Sequence, residues 1–68
     1  MRYAVIFEKS ATSFGAYVPD LPGCVVVGES LAEAKTLIAA AMKQHLAEMK
    51  LKGEKTPEPN SVVAYIEA

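Results

Sequence analysis

Apolar and polar positions divide the chain into three short extended stretches, one long amphipathic helix and a last extended stretch. Between Arg2 and Glu8, β-branched and aromatic residues predict a strand, with Tyr3, Val5 and Phe7 on one face and Ala4 and Ile6 on the other. Lys9 to Ser13 is small and polar, as a hairpin loop requires, and Phe14 to Val18 resumes the extended pattern. Pro19 to Gly23 reads as a turn, leading into a third strand, Cys24 to Val27, that stops at Gly28. From Leu31 to about Lys52 the period changes: Leu31, Ala34, Ile38, Ala41, Met42, His45 and Met49 fall along one helical stripe, flanked by Leu37 and Leu46. Glu54 to Ser61, with Pro57 and Pro59, predicts an extended loop, and Val62 to Glu67 a fourth strand.

Local signals sharpen these boundaries. Pro22-Gly23 suits the centre of a type II turn, because proline pre-sets the first central φ and glycine accepts the positive φ of the second. Ser30 and Glu33 have the spacing of a capping box, in which the serine hydroxyl accepts from the Glu33 amide and the Glu33 carboxylate accepts from the Ser30 amide. The helix therefore starts at Leu31, and Lys50, Lys52 and Gly53 supply cationic and left-handed stop signals. The predicted order is β-β-β-α-β, an α+β fold in which an antiparallel meander and a fourth strand carry one helix on one face. Pro22, Gly23, Gly28, Ser30, Glu33 and Gly53 are its expected structural residues.

Geometry then poses a problem of cover. A helix of about 22 residues reaches roughly 33 Å, whereas strands of five to seven residues reach about 17 to 23 Å, so the helix should overhang the sheet. It covers one face only, yet Tyr3 to Phe7, Val25 to Val27 and Val62 to Ile66 send apolar side chains to both. Uncovered apolar patches of this kind usually mark an interaction surface. A second copy of the chain, added at a sheet edge or on the open face, is one expected occupant.

Composition narrows the classes. Sixty-eight residues make one domain, and a domain of this size buries only about 60% of its unfolded surface, so help from a partner is expected. At 51% hydrophobic residues the chain is too apolar for disorder, and it contains no run of the ~20 apolar residues that a membrane span needs. Glu8 interrupts the first apolar run before a secretory core develops, and cytoplasmic residence is the expectation. Net charge is -1, with Arg2 and Lys9 against Glu8, Asp20, Glu29 and Glu33 in the first half and five lysines against four glutamates in the second. Neither half has the clustered basic residues of a nucleic-acid surface.

Candidate chemistry is sparse. One cysteine and one histidine cannot build a cysteine-rich zinc site, and neither a metal nor another cofactor is expected. Cys24 and His45 are the residue types of a thiolate nucleophile and its base. With no third orienting group, both read more simply as packing residues, as do Met42 and Met49. The carboxylates of Glu8, Asp20, Glu29, Glu33 and Glu67 stand at strand and helix ends. None is paired on a central strand, as a two-metal nuclease would demand.

The order Tyr17-Val18-Pro19-Asp20-Leu21-Pro22-Gly23-Cys24, then Gly28, then Ser30-x-x-Glu33-Ala34, then the Gly53 to Pro59 return, resembles the HicB family of antitoxins over nearly the whole chain. The resemblance implies a partial ribonuclease H-like fold and a partner, a small basic HicA-type ribonuclease toxin with a double-stranded-RNA-binding-like fold. Such a toxin degrades mRNA with a histidine, and the antitoxin masks that site. Family members often carry an additional C-terminal DNA-binding module; residues 1–68 are expected to form a single HicB-like domain without one. The resemblance brings no contact map. Geometry selects the Asp20, Leu21, Pro22 and Gly23 turn, the acidic helix start at Glu29 and Glu33, and the helix end at Lys50 and Lys52 as partner-binding candidates. A homodimer or higher homo-oligomer is expected. The alternatives are a stand-alone oligomeric interaction domain with no toxin partner, and a sheet-face binder of small ligands or nucleic acid.

Overall fold

The computed structural model describes all residues from Met1 to Ala68. Three strands, β1 (Ile6–Lys9), β2 (Phe14–Tyr17) and β3 (Val25–Gly28), are followed by one helix, α1 (Leu31–Leu51). The sheet is an antiparallel meander in the order β1-β2-β3, with Ile6 opposite Tyr17 and Tyr17 opposite Val25. This is the expected α+β meander under one helix. It has three strands rather than four.

The missing strand is Val62 to Glu67. Its residues pair with no strand, and Val62, Tyr65 and Ile66 are about nine-tenths exposed. A strand pattern states only that a segment can join a sheet; pairing requires an edge within hydrogen-bonding distance, and this segment stands away from β1 across a groove. The first strand is also shorter at its start than the Arg2 to Glu8 stretch. Its ladder begins at Ile6, which pairs with Tyr17; Val18, the next residue along, bonds through its amide to Cys24 on the β3 side as the chain leaves the sheet.

That departure builds a double turn around one side chain. The Leu21 amide donates to the Val18 carbonyl, the Cys24 amide to the Leu21 carbonyl, and the Val18 amide to the Cys24 carbonyl, each within 3.1 Å. Gly23 has φ +85°, as the type II turn requires. The two turns fold the backbone over Leu21, which is fully buried with Ala16, Val18, Cys24, Ala34 and Ile38. Phe7, Phe14, Val26, Met42 and Leu46 pack around this nucleus.

Helix α1 begins and ends largely as expected. The Ser30 hydroxyl accepts from the Glu33 amide at 3.1 Å. The Glu33 carboxylate, however, accepts from the Glu29 amide at 2.8 Å rather than from Ser30. It lies against the bare Gly28 Cα, beside which the Glu29 N–H is the donor in reach. At the other end Glu54 donates to the Met49 carbonyl and Gly53 to the Lys50 carbonyl, a Schellman motif with Gly53 at φ +72°. The buried stripe is narrower than predicted. Ala34 and Ile38 are buried and Ala41, Met42, His45, Leu46 and Met49 half-buried, while Leu31 and Leu37 remain exposed. The helix crosses β3 and β2, and its later turns reach past the short strands toward Met1 and Tyr3.

Gly28 permits that crossing. A Cβ there would meet the Ala34 backbone nitrogen at 2.8 Å and its Cα at 3.2 Å. Neither atom can withdraw without shifting the helix. Gly28→Ala should therefore lower stability by about 1–3 kcal/mol, the usual penalty of overpacking, read as a lower urea midpoint with an unchanged slope.

Candidate interaction surface

Alternation along the strands sorts side chains between two faces. Phe7, Ala16 and Val26 form one ladder row under the helix, whereas the rows Ile6-Tyr17-Val25 and Glu8-Gly15-Val27 lie on the other side. No element covers that side. Val25 and Val27 are 62% and 66% exposed and Tyr17 39%, on adjacent strands. Covering each valine again recovers on the order of 1 kcal/mol. The unclothed face expected from a one-helix chain is thus present, as a compact apolar strip rather than a broad sheet.

A second feature gathers at the double turn. Asp20 accepts from the Asn60 amide at 3.0 Å and the Ser61 amide at 2.9 Å through one carboxylate oxygen, and from the Ser61 hydroxyl at 3.0 Å through the other. Its carboxyl is held below its ordinary value of 3.8, chiefly by the Ser61 amide; desolvation opposes this, and the Ser61 hydroxyl and Asn60 amide assist it. The Tyr3 hydroxyl adds a bond to the Pro57 carbonyl. Together these clasps fasten the return from α1 to the body of the domain. Asp20, Lys55, Thr56, Pro57, Glu58 and Asn60 surround a hollow beside it.

The candidate residues separate accordingly. Pro22 and Gly23 are exposed at the turn, but Leu21 is fully buried, so its side chain belongs to the core and cannot serve as a contact. The turn packs near the later half of α1: Gly23, Cys24 and Val25 share a small depression with Ala41, Gln44, His45 and Glu48. Glu29 and Glu33 sit at the other end of the helix, about 25 Å from Lys50 by helical rise. The two ends of the candidate set thus lie a helix length apart. Lys50 and Lys52 are exposed at the helix end. Asn60, Ser61 and Tyr3 had no signal of their own in the sequence, since their roles depend on which turn the chain returns to.

Chemistry at Cys24 is muted. The depression brings Cys24 and His45 together, but the thiol is buried and burial pushes its pKa up, opposite to what a thiolate nucleophile needs. No group of three or more His, Cys, Asp or Glu side chains is placed to hold a metal ion. No helix is long and apolar enough to cross a membrane.

Comparison with known proteins bears on this arrangement directly. Residues 3–68 match the family model described as the HicB-like antitoxin of bacterial toxin-antitoxin systems. The chain belongs to the HicB-like antitoxin family. A 14.9 kDa protein from the rep-hol intergenic region of Haemophilus phage HP1 is 33% identical over 66 residues, which is 97% of this chain and 50% of that protein. The chain thus spans half the length of this phage relative. A UPF0150 protein of Thermoplasma acidophilum is 34% identical over 62 residues, 90% of either chain. No solved structure matches.

The Asp20 clasp gives a pH test. Because the folded carboxyl is more acidic than the unfolded one, its stabilisation is complete above the ordinary aspartate range. It is lost as pH falls through the lowered folded value. The Ser61 amide resonance should therefore move on acidification below about pH 4, while the Cys24 amide stays fixed. In Asp20→Ala, hydrogen exchange at Asn60 and Ser61 should become fast at neutral pH without a matching change at Cys24.

Proposed function

We propose that this HicB-like chain is an antitoxin that binds a small basic HicA-type ribonuclease toxin and inhibits it by covering the surface with which the toxin degrades mRNA. The family match over residues 3–68 carries this reading. The uncovered strip of Tyr17, Val25 and Val27 supports it, as a ready apolar contact whose rim is polar at Glu8. Net charge of -1 suits a basic partner. Inhibition by occlusion asks nothing of the antitoxin beyond affinity and position, in keeping with a chain whose one thiol is buried and whose Glu33 and Asp20 carboxylates are engaged by backbone amides.

Asp20, Pro22 and Gly23 on the turn, with Lys50 and Lys52 beyond it, form the nearer polar contact set of this proposal. Glu29 and Glu33 would engage a second subunit or a separate lobe of the toxin. The protein acts in the cytoplasm as a homodimer or higher homo-oligomer and makes no direct contact with nucleic acid. A second reading, a stand-alone oligomeric interaction domain with no toxin, is favoured by one observation: apolar residues at 62–66 are exposed independently of the strip.

Co-expression with the product of a neighbouring gene of toxin type tests the first reading. Growth should be rescued and the two proteins should co-purify; rescue without a stable complex would contradict occlusion. Val25→Asp with Val27→Asp should weaken the complex at least tenfold by calorimetry, since two apolar contacts are removed and two charges desolvated.

A further inference from the structure

The segment 62–67 poses the sharpest question in the molecule. Val62-Val63-Ala64-Tyr65-Ile66 has the residues of a central strand, yet Val62 is 90% exposed, Tyr65 92% and Ile66 87%. Its backbone groups make no bond in the sheet. Alongside it, β1 is an edge strand whose outer side is unpaired. Between the two runs a groove of about 420 Å³, walled by Val5, Ile6 and Phe7 on one side and Val62 to Tyr65 on the other, every lining residue hydrophobic.

Direction matters here. Ser61 and Val63 lie by Arg2, Tyr3 and Ala4, while Val62 to Tyr65 lie by Val5 to Phe7. The segment therefore runs the same way as β1. Closing the groove within one subunit would create a parallel pair, the weaker kind per residue and one ordinarily buried on both faces. A strand inserted from a two-fold-related copy runs antiparallel to both walls and can bond to each.

We propose that segment Val62–Glu67 of each subunit inserts into this groove in a second copy of the chain. The exchange is reciprocal and forms a two-fold dimer with one continuous antiparallel sheet. In that sheet β1 of one copy is followed by the partner's segment, then by its own segment, then by β1 of the partner. The contact is isologous, so each copy supplies what it receives and the assembly closes at two. Asp20 fixes the chain at Asn60 and Ser61, which launches the segment from a set point and lowers the entropy lost on docking. The exposed residues of two segments offer roughly 1,000 Å² before the groove walls are counted, close to the size of a stable interface. This inference deepens the oligomeric part of the proposed function and rests on none of its toxin-binding part.

Light scattering on the 68-residue chain at micromolar concentration, without toxin, gives the first readout. A mass of twice 7.3 kDa is expected. Ala64→Pro and Tyr65→Pro give the second. Adjacent amides in a strand point to opposite sides, and the exchanged segment is paired on both, so each substitution should weaken dimerisation at least tenfold. The far-UV circular dichroism of the monomer should not change, because the segment forms no ladder there. Amides of Val63 to Ile66 should be protected from exchange in the wild-type dimer and lose protection on dilution. A monomeric wild-type mass overturns the proposal, as does a dimer that both prolines leave intact, which would place the contact on the Val25 and Val27 face. Protection of these amides in a monomer would show closure within one chain and equally overturn it. Failure of toxin rescue in co-expression changes none of these outcomes.

Discussion

A single helix must serve a sheet with two faces, and the rest of this molecule is arranged around that shortage. Helix α1 lands on β3 and β2, with Ala34 tight against Gly28 and Ile38 over the buried nucleus. The close approach brings helix and strand to backbone contact, where small residues are required. Core volume must then come from elsewhere. Leu21 supplies it, carried inward by a double turn that belongs to neither layer.

The same shortage explains why apolar surface is left over. With seven of 68 residues buried, the domain has little internal margin, as expected for its size. Much of its exposed hydrophobic surface lies in the Tyr17, Val25 and Val27 strip and the segment after Ser61, with Met1, Leu31, Leu37 and Leu51 exposed singly elsewhere. Under the proposed function this economy has a use. A protein that works by covering another protein needs apolar surface held in a defined shape more than it needs a deep core.

Much of the fold is legible in the sequence wherever the cause is local. Pro22-Gly23 dictates its turn through φ alone, Ser30 caps through a hydroxyl three residues from its donor, and Gly53 ends the helix because it tolerates a left-handed conformation. The uncovered face is also legible, since it comes from counting helices against strands. Features that depend on distant encounters are not. Whether Val62 to Glu67 pairs is decided by where the Pro57 and Pro59 loop delivers it, and Asp20 becomes a clasp through partners 40 and 41 positions away. Leu21 reads as a surface residue from its place in an exposed-looking turn, yet it is the most buried large side chain. The double turn inverts the side on which such a residue points.

Contacts among β1, β2, β3 and α1 join elements that are mostly neighbours in sequence. The body of the domain can thus be assembled from nearby pieces, the kind of topology that folds quickly. Tyr3 with Pro57, and Asp20 with Asn60 and Ser61, are ties of another order, each bridging most of the chain. They fasten only the stretch beyond the helix. Few bonds hold residues 55–68 to the body, so this is the stretch expected to open locally while the hairpins and helix stay closed. Should the Asp20 bonds be lost, the Tyr3 hydroxyl on the Pro57 carbonyl would be the tie left to hold that stretch near the body.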